Sequence, residues 1–216
     1  MDAGLLAIKR PDQAKQRLGK AFTKSQRIEI AGAMSNDALD LCARADFLTW
    51  WVVTDGAEAA RAADELGFHV VMDDGAGLNP ALLKGLAAID DAGVDSVTII
   101  PADIPGARSE ELQDVLDTGE TSQLVVVPSG DGGTNALYLR PPTLVEPRFG
   151  QGSLQAHLHV AEEQRIRCSV LPLESMALDI DTPEDVERFL EEGAGSTTRT
   201  YEVLSRLRLP PTTAES

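Results

Sequence analysis

Cysteine is nearly missing from this chain of 216 residues: Cys42 and Cys168 stand far apart, neither with a C-x-x-C partner. Two isolated thiols argue against a disulfide framework and against a thiolate zinc site, and both are expected to be buried and free. Long apolar runs are missing as well. No window approaches eighteen consecutive apolar residues, so no membrane-spanning helix is expected. The start, "MDAGLLAIKRPDQAK", has too short an apolar run, followed by too many charges, for a secretory signal, and a soluble cytoplasmic protein is the expectation. Positive charge is scarce: 19 Lys and Arg face 35 Asp and Glu, a net charge of −16. That balance argues against nucleic acid or an acidic membrane as partner, since both need a basic surface to displace counterions. Also absent are the P-loop G-x-x-x-x-G-K-[ST], the dinucleotide fingerprint G-x-G-x-x-G and the nucleophile elbow G-x-S-x-G. A phosphate ester attacking a nucleoside triphosphate needs none of them. Its oxygen is already an anion, and positioning with charge neutralisation suffices.

What is present has the length and composition of one globular domain. Apolar runs at 4–9, 47–54, 68–72, 95–100, 122–128, 135–140 and 166–173 read as strands. Between the first four, Ser25–Arg44, Ala57–Leu66 and Pro80–Ala92 are rich in Ala and Leu at helical spacing. That alternation predicts an α/β fold with a mostly parallel sheet and helices on both faces. The section "QLVVVPSGDGGTNALYLR" instead joins two strands through a Gly-rich turn, which predicts an antiparallel insertion. From Gly193 onward the chain reads as a short helix in a frayed tail.

Ligands of open α/β sheets collect beyond the carboxyl ends of the strands, and three unusual loops fall there. The first carries seven basic side chains between Lys9 and Arg27 against the single acid Asp12, which suits either a small polyanion or a solvated loop. The second is "PADIP", where Asp103 sits between two prolines just past a β-branched run. A carboxylate on so rigid a backbone can hold Mg²⁺, or serve as a turn or capping acid. The third, "LDIDTPED", spaces Asp179 and Asp181 so that both face one side if extended, while Thr182 and Asp185 form a capping box before Pro183. In "RFGQGSLQAHLHV", Gly150 and Gly152 permit close backbone approach and Ser153 opens a helix, as an anion site or an ordinary cap. Thr134 and Asn135 lie in a turn that offers hydrogen-bond donors. His157 and His159, two apart, fall on different helix faces and read as structural or surface residues rather than a zinc pair.

In order along the chain, "AIKRPDQAKQRL" (7–18), "GLNPALLKGL" (77–86), "PADIP" (101–105), "DGGTNAL" (131–137), "FGQGSLQAH" (149–157) and "DIDTPED" (179–185) resemble the guanylyltransferases of the deazaflavin coenzyme F-420 pathway. The resemblance runs from residue 4 to 190 and implies a single Rossmann-like nucleotidyltransferase domain of the GT-A type over 1–192, with a partly flexible tail at 193–216. It implies transfer of GMP from GTP to 2-phospho-L-lactate, phosphoenolpyruvate or 3-phosphoglycerate, with release of pyrophosphate. It carries Mg²⁺ onto Asp103, Asp179 and Asp181, and the acceptor onto Thr134, Gly150 and Ser153. Nucleotide binding falls on Ala7, Lys9 and Lys15 of the first motif and on Gly77 and Asn79 of the second. Lys15 and Arg17, standing together on the loop, would steady the triphosphate and join Asp103 as the catalytic set. The partners it allows beyond the substrates are the downstream transferase of the pathway and a second copy of the chain. Two other readings stay open from the residues: a sugar-phosphate nucleotidyltransferase or glycosyltransferase on the same fold, and a nucleotide-binding module without catalysis.

Overall fold

A computed structural model describes residues 1–193 and 195–207. The four apolar runs of the first half become β1 (Asp2–Ile8), β2 (Thr49–Thr54), β3 (His69–Met72) and β4 (Ser96–Pro101), joined by α1 (Lys24–Arg44), α2 (Ala57–Glu65) and α3 (Leu78–Asp91). β1, β2 and β4 are apolar almost without interruption because both faces are covered, whereas β3, at the sheet edge, is only partly buried. Leu5 and Leu6, Trp50 and Trp51, and Ile99 and Ile100 each send successive side chains into opposite cores. One core lies under α1, α2 and α4 (Ser109–Gly119), the other under α3 and α5 (Ser153–Gln164). Gly85 lets α3 close on β1, since a Cβ there would stand 2.6 Å from Leu5 Cδ1.

The second half supplies β5 (Leu124–Pro128), β6 (Thr134–Leu139) and β7 (Cys168–Val170), followed by α6 (Pro183–Glu192) and α7 (Arg199–Leu207). The described strands form one seven-stranded mixed sheet in the order β3-β2-β1-β4-β6-β5-β7. β6 runs antiparallel to both β4 and β5, whereas the other pairs are parallel. The antiparallel section expected from the Gly-rich turn is therefore present.

Two sequence expectations change. The run at 166–173 shortens to three residues because β7 is an edge strand paired on one side, and Leu173 leaves the sheet to enter the core beside Met176. Cys168, on that edge, is only partly buried, whereas Cys42 is fully buried and both thiols are free. Part of the expected tail is built into the fold. Leu204 of α7 enters a third core with Ile30 and Met34 of α1 and Phe189 of α6. The helix start is held by Asp37 of α1, whose carboxylate accepts from Arg199 N at 3.0 Å and from Thr200 N at 2.8 Å. Residues 208–216 of that tail lie outside the described residues. Among the described residues no helix is long and apolar enough to cross a membrane.

Asp37 satisfies backbone donors that α7 cannot satisfy itself, so it acts as a cap supplied from another helix. Asp37→Ala is expected to lower the unfolding free energy by about 1–2 kcal/mol in denaturant titration, with α7 becoming the first segment cut in limited proteolysis. Wild-type stability and protection in the variant would mean that α7 is held by its apolar face alone.

Candidate active site

Three loops converge at the carboxyl ends of β1 and β4. The loop after β1 turns through Lys15, whose backbone is left-handed (φ 53°), into a short 3₁₀ turn at Gln16–Lys20. Its return is anchored by a capping box at the start of α1, between Thr23 and Gln26, and by Arg27 Nη1 donating to Gln16 Oε1 at 2.9 Å. The second loop places Asp103 two residues past β4. The third precedes α6 and is joined to the second by Ile180 N donating to Asp103 O at 3.0 Å. Ile180 is fully buried, so in this extended stretch its neighbours Asp179 and Asp181 turn the other way, as their spacing predicts. The capping box of Thr182 and Asp185 is present too, and Asp185 Oδ2 also accepts from Asp181 N at 3.0 Å. Capping and metal readings of this loop are therefore compatible, because the cap engages Asp185 and leaves Asp179 and Asp181 free of it.

At the centre stands the Lys15 ammonium, 2.7 Å from Asp103 Oδ2 and 2.9 Å from Asp181 Oδ1. Burial alone would lower the lysine pKa, but the two carboxylates outweigh it and hold it above the ordinary value. Burial would likewise raise Asp181; Lys15, and then Arg17 at 3.6 Å, bring it below the usual range. Asp179 lacks such a cation. Burial, then the charge of Asp103, push it up to about 6, against a hydrogen bond from Asn135 Nδ2 at 3.3 Å. Among the described residues no three His, Cys, Asp or Glu side chains are gathered closely enough to hold a metal as they stand. The donor chemistry nevertheless fits a hard divalent cation, since two carboxylates already share one positive centre and a third lines the same cavity.

Reversal of β6 brings its first residue, Thr134, to this same edge. Thr134, Gly150, Asp103, Asp179 and Arg17 all border a cavity of about 450 Å³. Ser153 is buried behind Thr134, its hydroxyl 3.0 Å from Thr134 Oγ1. It is not the cap of α5: Gly152, left-handed at φ 70°, holds that position, and Ser153 N donates to Gly150 O at 3.1 Å. On the other side of Lys15, a cleft of about 270 Å³ contains Asp103, Asp181, Lys9 and Ala7. It shares Ala7 and Lys9 with a smaller one of about 110 Å³ bordered by Gly77, Asp55 and Asp73. The three spaces thus form one trough with the Lys15 cluster in its middle. A larger cleft of about 580 Å³ between α1, the loop after β4 and α7 adjoins the trough at Pro101 and Ala102, with Arg108 and Arg199 already paired to Glu111 and Asp40.

The basic loop does not act as one patch. Arg10 is engaged at the end of β2, donating from its backbone N and from Nε to Asp55 at 3.0 and 3.1 Å. Asn79, expected on the nucleotide side, has its amide wholly on the loop at 148–150: it accepts from Phe149 N at 2.9 Å and donates to Phe149 O at 3.1 Å. His159 is a surface residue beside Glu163, and His157 is buried against Thr134 and the backbone of Arg148. The contributions of Asn135 and His157 had a faint signal in sequence, as polar residues next to Thr134 and one turn after Ser153.

Residues 3–216 match the family model described as "Guanylyl transferase CofC like". The 3-phospho-D-glycerate guanylyltransferase of Phenylobacterium zucineum is 34% identical over 96% of this chain and 97% of its own length. The phosphoenolpyruvate guanylyltransferase of Nocardia farcinica is 35% identical over 90% of this chain and 88% of its own. A solved protein of Desulfovibrio desulfuricans G20, described as a nucleotide-diphospho-sugar transferase, shares the fold with a TM-score of 0.78 at 20% identity, covering 95% of this chain and 94% of that one.

Removing the central ammonium leaves carboxylates facing one another. Lys15→Met is expected to destabilise by about 1–3 kcal/mol, less than the roughly 3–5 kcal/mol of a fully buried broken pair because Asp103 and Asp181 remain partly exposed. Millimolar Mg²⁺ or Mn²⁺ should then raise the melting temperature of the variant more than that of the wild type. Equal cation responses in the two proteins would contradict a shared cation position.

Proposed function

The chain belongs to the guanylyl transferase CofC-like family, and we propose that it joins GMP from GTP to a three-carbon phospho-acid, releasing pyrophosphate, as a step in coenzyme F-420 formation. The observation that carries this reading is the trough. Clefts bordered by Ala7, Lys9 and Gly77 adjoin the cavity at Thr134 and Gly150, with Asp103 and Asp181 lining both sides, which supports a nucleotide on the first side and an acceptor on the second. The relatives named above act on phosphorylated three-carbon acids, and the acceptor class is taken from them.

In this reading an acceptor phosphate oxygen attacks the α-phosphorus of GTP. A P–O bond forms, the bond to the β-phosphate oxygen breaks, and pyrophosphate leaves with the electron pair. No proton needs to be removed, so the step requires no general base. Asp103, Asp179 and Asp181 would hold Mg²⁺, which when bound supplies positive charge to both reacting phosphates. Lys15, released from its two carboxylates, and the exposed Arg17 would steady the β- and γ-phosphates. Thr134 and the Gly150–Ser153 turn would orient the acceptor, holding its phosphate in line. GTP as substrate points to the cytoplasm as the place of action.

The direct test is pyrophosphate release from GTP with phosphoenolpyruvate, 2-phospho-L-lactate and 3-phosphoglycerate. At least one acid should support turnover. Release with sugar phosphates only, or GTP binding without release for any acceptor, would overturn the reading. Asp103→Asn should retain its fold and lose roughly 10–100-fold in turnover, the range seen when a metal shell is disturbed. Near-wild-type turnover at saturating Mg²⁺ would remove Asp103 from that role.

A further inference from the structure

We propose that His157 is a positioning residue for the acceptor, fixing the Thr134 hydroxyl as a hydrogen-bond donor directed at the phospho-acid. The proposal rests on the acceptor reading of the cavity at Thr134 and goes beyond it by assigning how that hydroxyl is made to read an anion.

Arg148 N lies 3.0 Å from His157 Nε2, and an amide N–H can only donate. Nε2 therefore accepts, and in a neutral ring the proton sits on Nδ1. Burial, with the charge of Arg148 adding to it, pushes the imidazole down to about 4, so the ring is neutral at ordinary pH. Nδ1 stands 3.2 Å from Thr134 Oγ1 and so donates to it. Ser153 Oγ, 3.0 Å from the same oxygen, donates to its second lone pair. With both lone pairs engaged, the hydroxyl's own proton is left for the cavity that Thr134 borders. The opposite tautomer would reverse every step. Thr134 would then donate to the ring and turn a lone pair toward an incoming phosphate or carboxylate, which would repel it.

The geometry that selects the tautomer is itself held from outside. Phe149, next to Arg148, is clamped at both backbone atoms by Asn79 and packs edge-on against the His157 ring, centroids 5.9 Å apart. His157 thus links two walls of the acceptor cavity, β6 through Thr134 and the 148–150 loop through Arg148, while being 1% exposed itself. It touches no substrate and acts through Thr134.

The test separates the two ring nitrogens. His157→Gln can still accept near the Nε2 position but loses the Nδ1 donor, whereas His157→Asn keeps a donor near Nδ1. The Gln variant should raise KM for the acceptor roughly tenfold, the effect of one lost hydrogen bond to a charged ligand, with KM for GTP unchanged. The Asn variant should recover most of that loss. Thr134→Val should raise acceptor KM to a similar extent, Thr134→Ser should not, and His157→Gln added to Thr134→Val should produce no further rise. Parallel rises for GTP and acceptor, equal effects of Gln and Asn, or additivity in the double variant would each assign His157 to packing and overturn the proposal. Wild-type protein inactive with every three-carbon acid would overturn the acceptor reading first, and this inference with it.

Discussion

The ion pairs of Lys15 hold the site together. Its ammonium joins residues 88 and 166 positions away, and with them the ends of β1 and β4 and the loop that leads into α6. Without a cation at that point Asp103, Asp179 and Asp181 would face one another in a partly buried space, and like charges at such range disfavour their shared ionised state. The lysine reaches them from a left-handed backbone, which L-residues adopt at a cost of about 1–2 kcal/mol. Such a conformation persists where surrounding contacts over-determine it. Here the contacts are two carboxylates on one side and the 3₁₀ turn on the other. The resulting cluster is an acidic pair half-neutralised by Lys15, and Arg17, 3.6 Å from Asp181, supplies the second positive charge.

The two ends of the trough use different physics. Around Lys15 the relevant groups are ionisable, and burial and neighbouring charge act together: burial, then Asp103, raises Asp179, whereas Lys15 and Arg17 overcome burial at Asp181. Around Thr134 the wiring is neutral. Arg148 N, His157, Thr134 and Ser153 form a run of hydrogen bonds without a net charge, and Asn79 holds the adjoining Phe149 backbone. Fixed dipoles orient a ligand without adding a counter-charge. Asn79 connects the ends, because it belongs to the start of α3 beside the smallest cleft and yet holds the loop at 148–150.

Much of this was readable from local pattern. Doubly covered strands appear as unbroken apolar runs, the Gly-rich turn announces the reversal at β6, and alternation about Ile180 puts Asp179 and Asp181 on one side. The unread part is tertiary. Nothing within a few residues of Asn79 tells that its amide will meet Phe149, 70 positions on. His157 has the spacing of a structural histidine, and only the placement of Arg148 N decides which nitrogen carries its proton. The short helix read in the tail is present at Arg199–Leu207, but its docking is not local, since the buried Asp37 that receives it lies 162 positions earlier. Cys168 is less buried than a free thiol usually is because an edge strand has one open side, a property of sheet order rather than of the strand.

The central claim is that Lys15 occupies the position between Asp103 and Asp181 only until a divalent cation and the nucleotide arrive together. The most direct measurement is a crystal structure of the wild-type protein with Mn²⁺ and a non-hydrolysable GTP analogue, the metal located by anomalous scattering. The account predicts Mn²⁺ bound to Asp103 and Asp181, with the Lys15 ammonium displaced onto the β- or γ-phosphate. Mn²⁺ elsewhere in the trough, with Lys15 still bridging the two carboxylates, would contradict it.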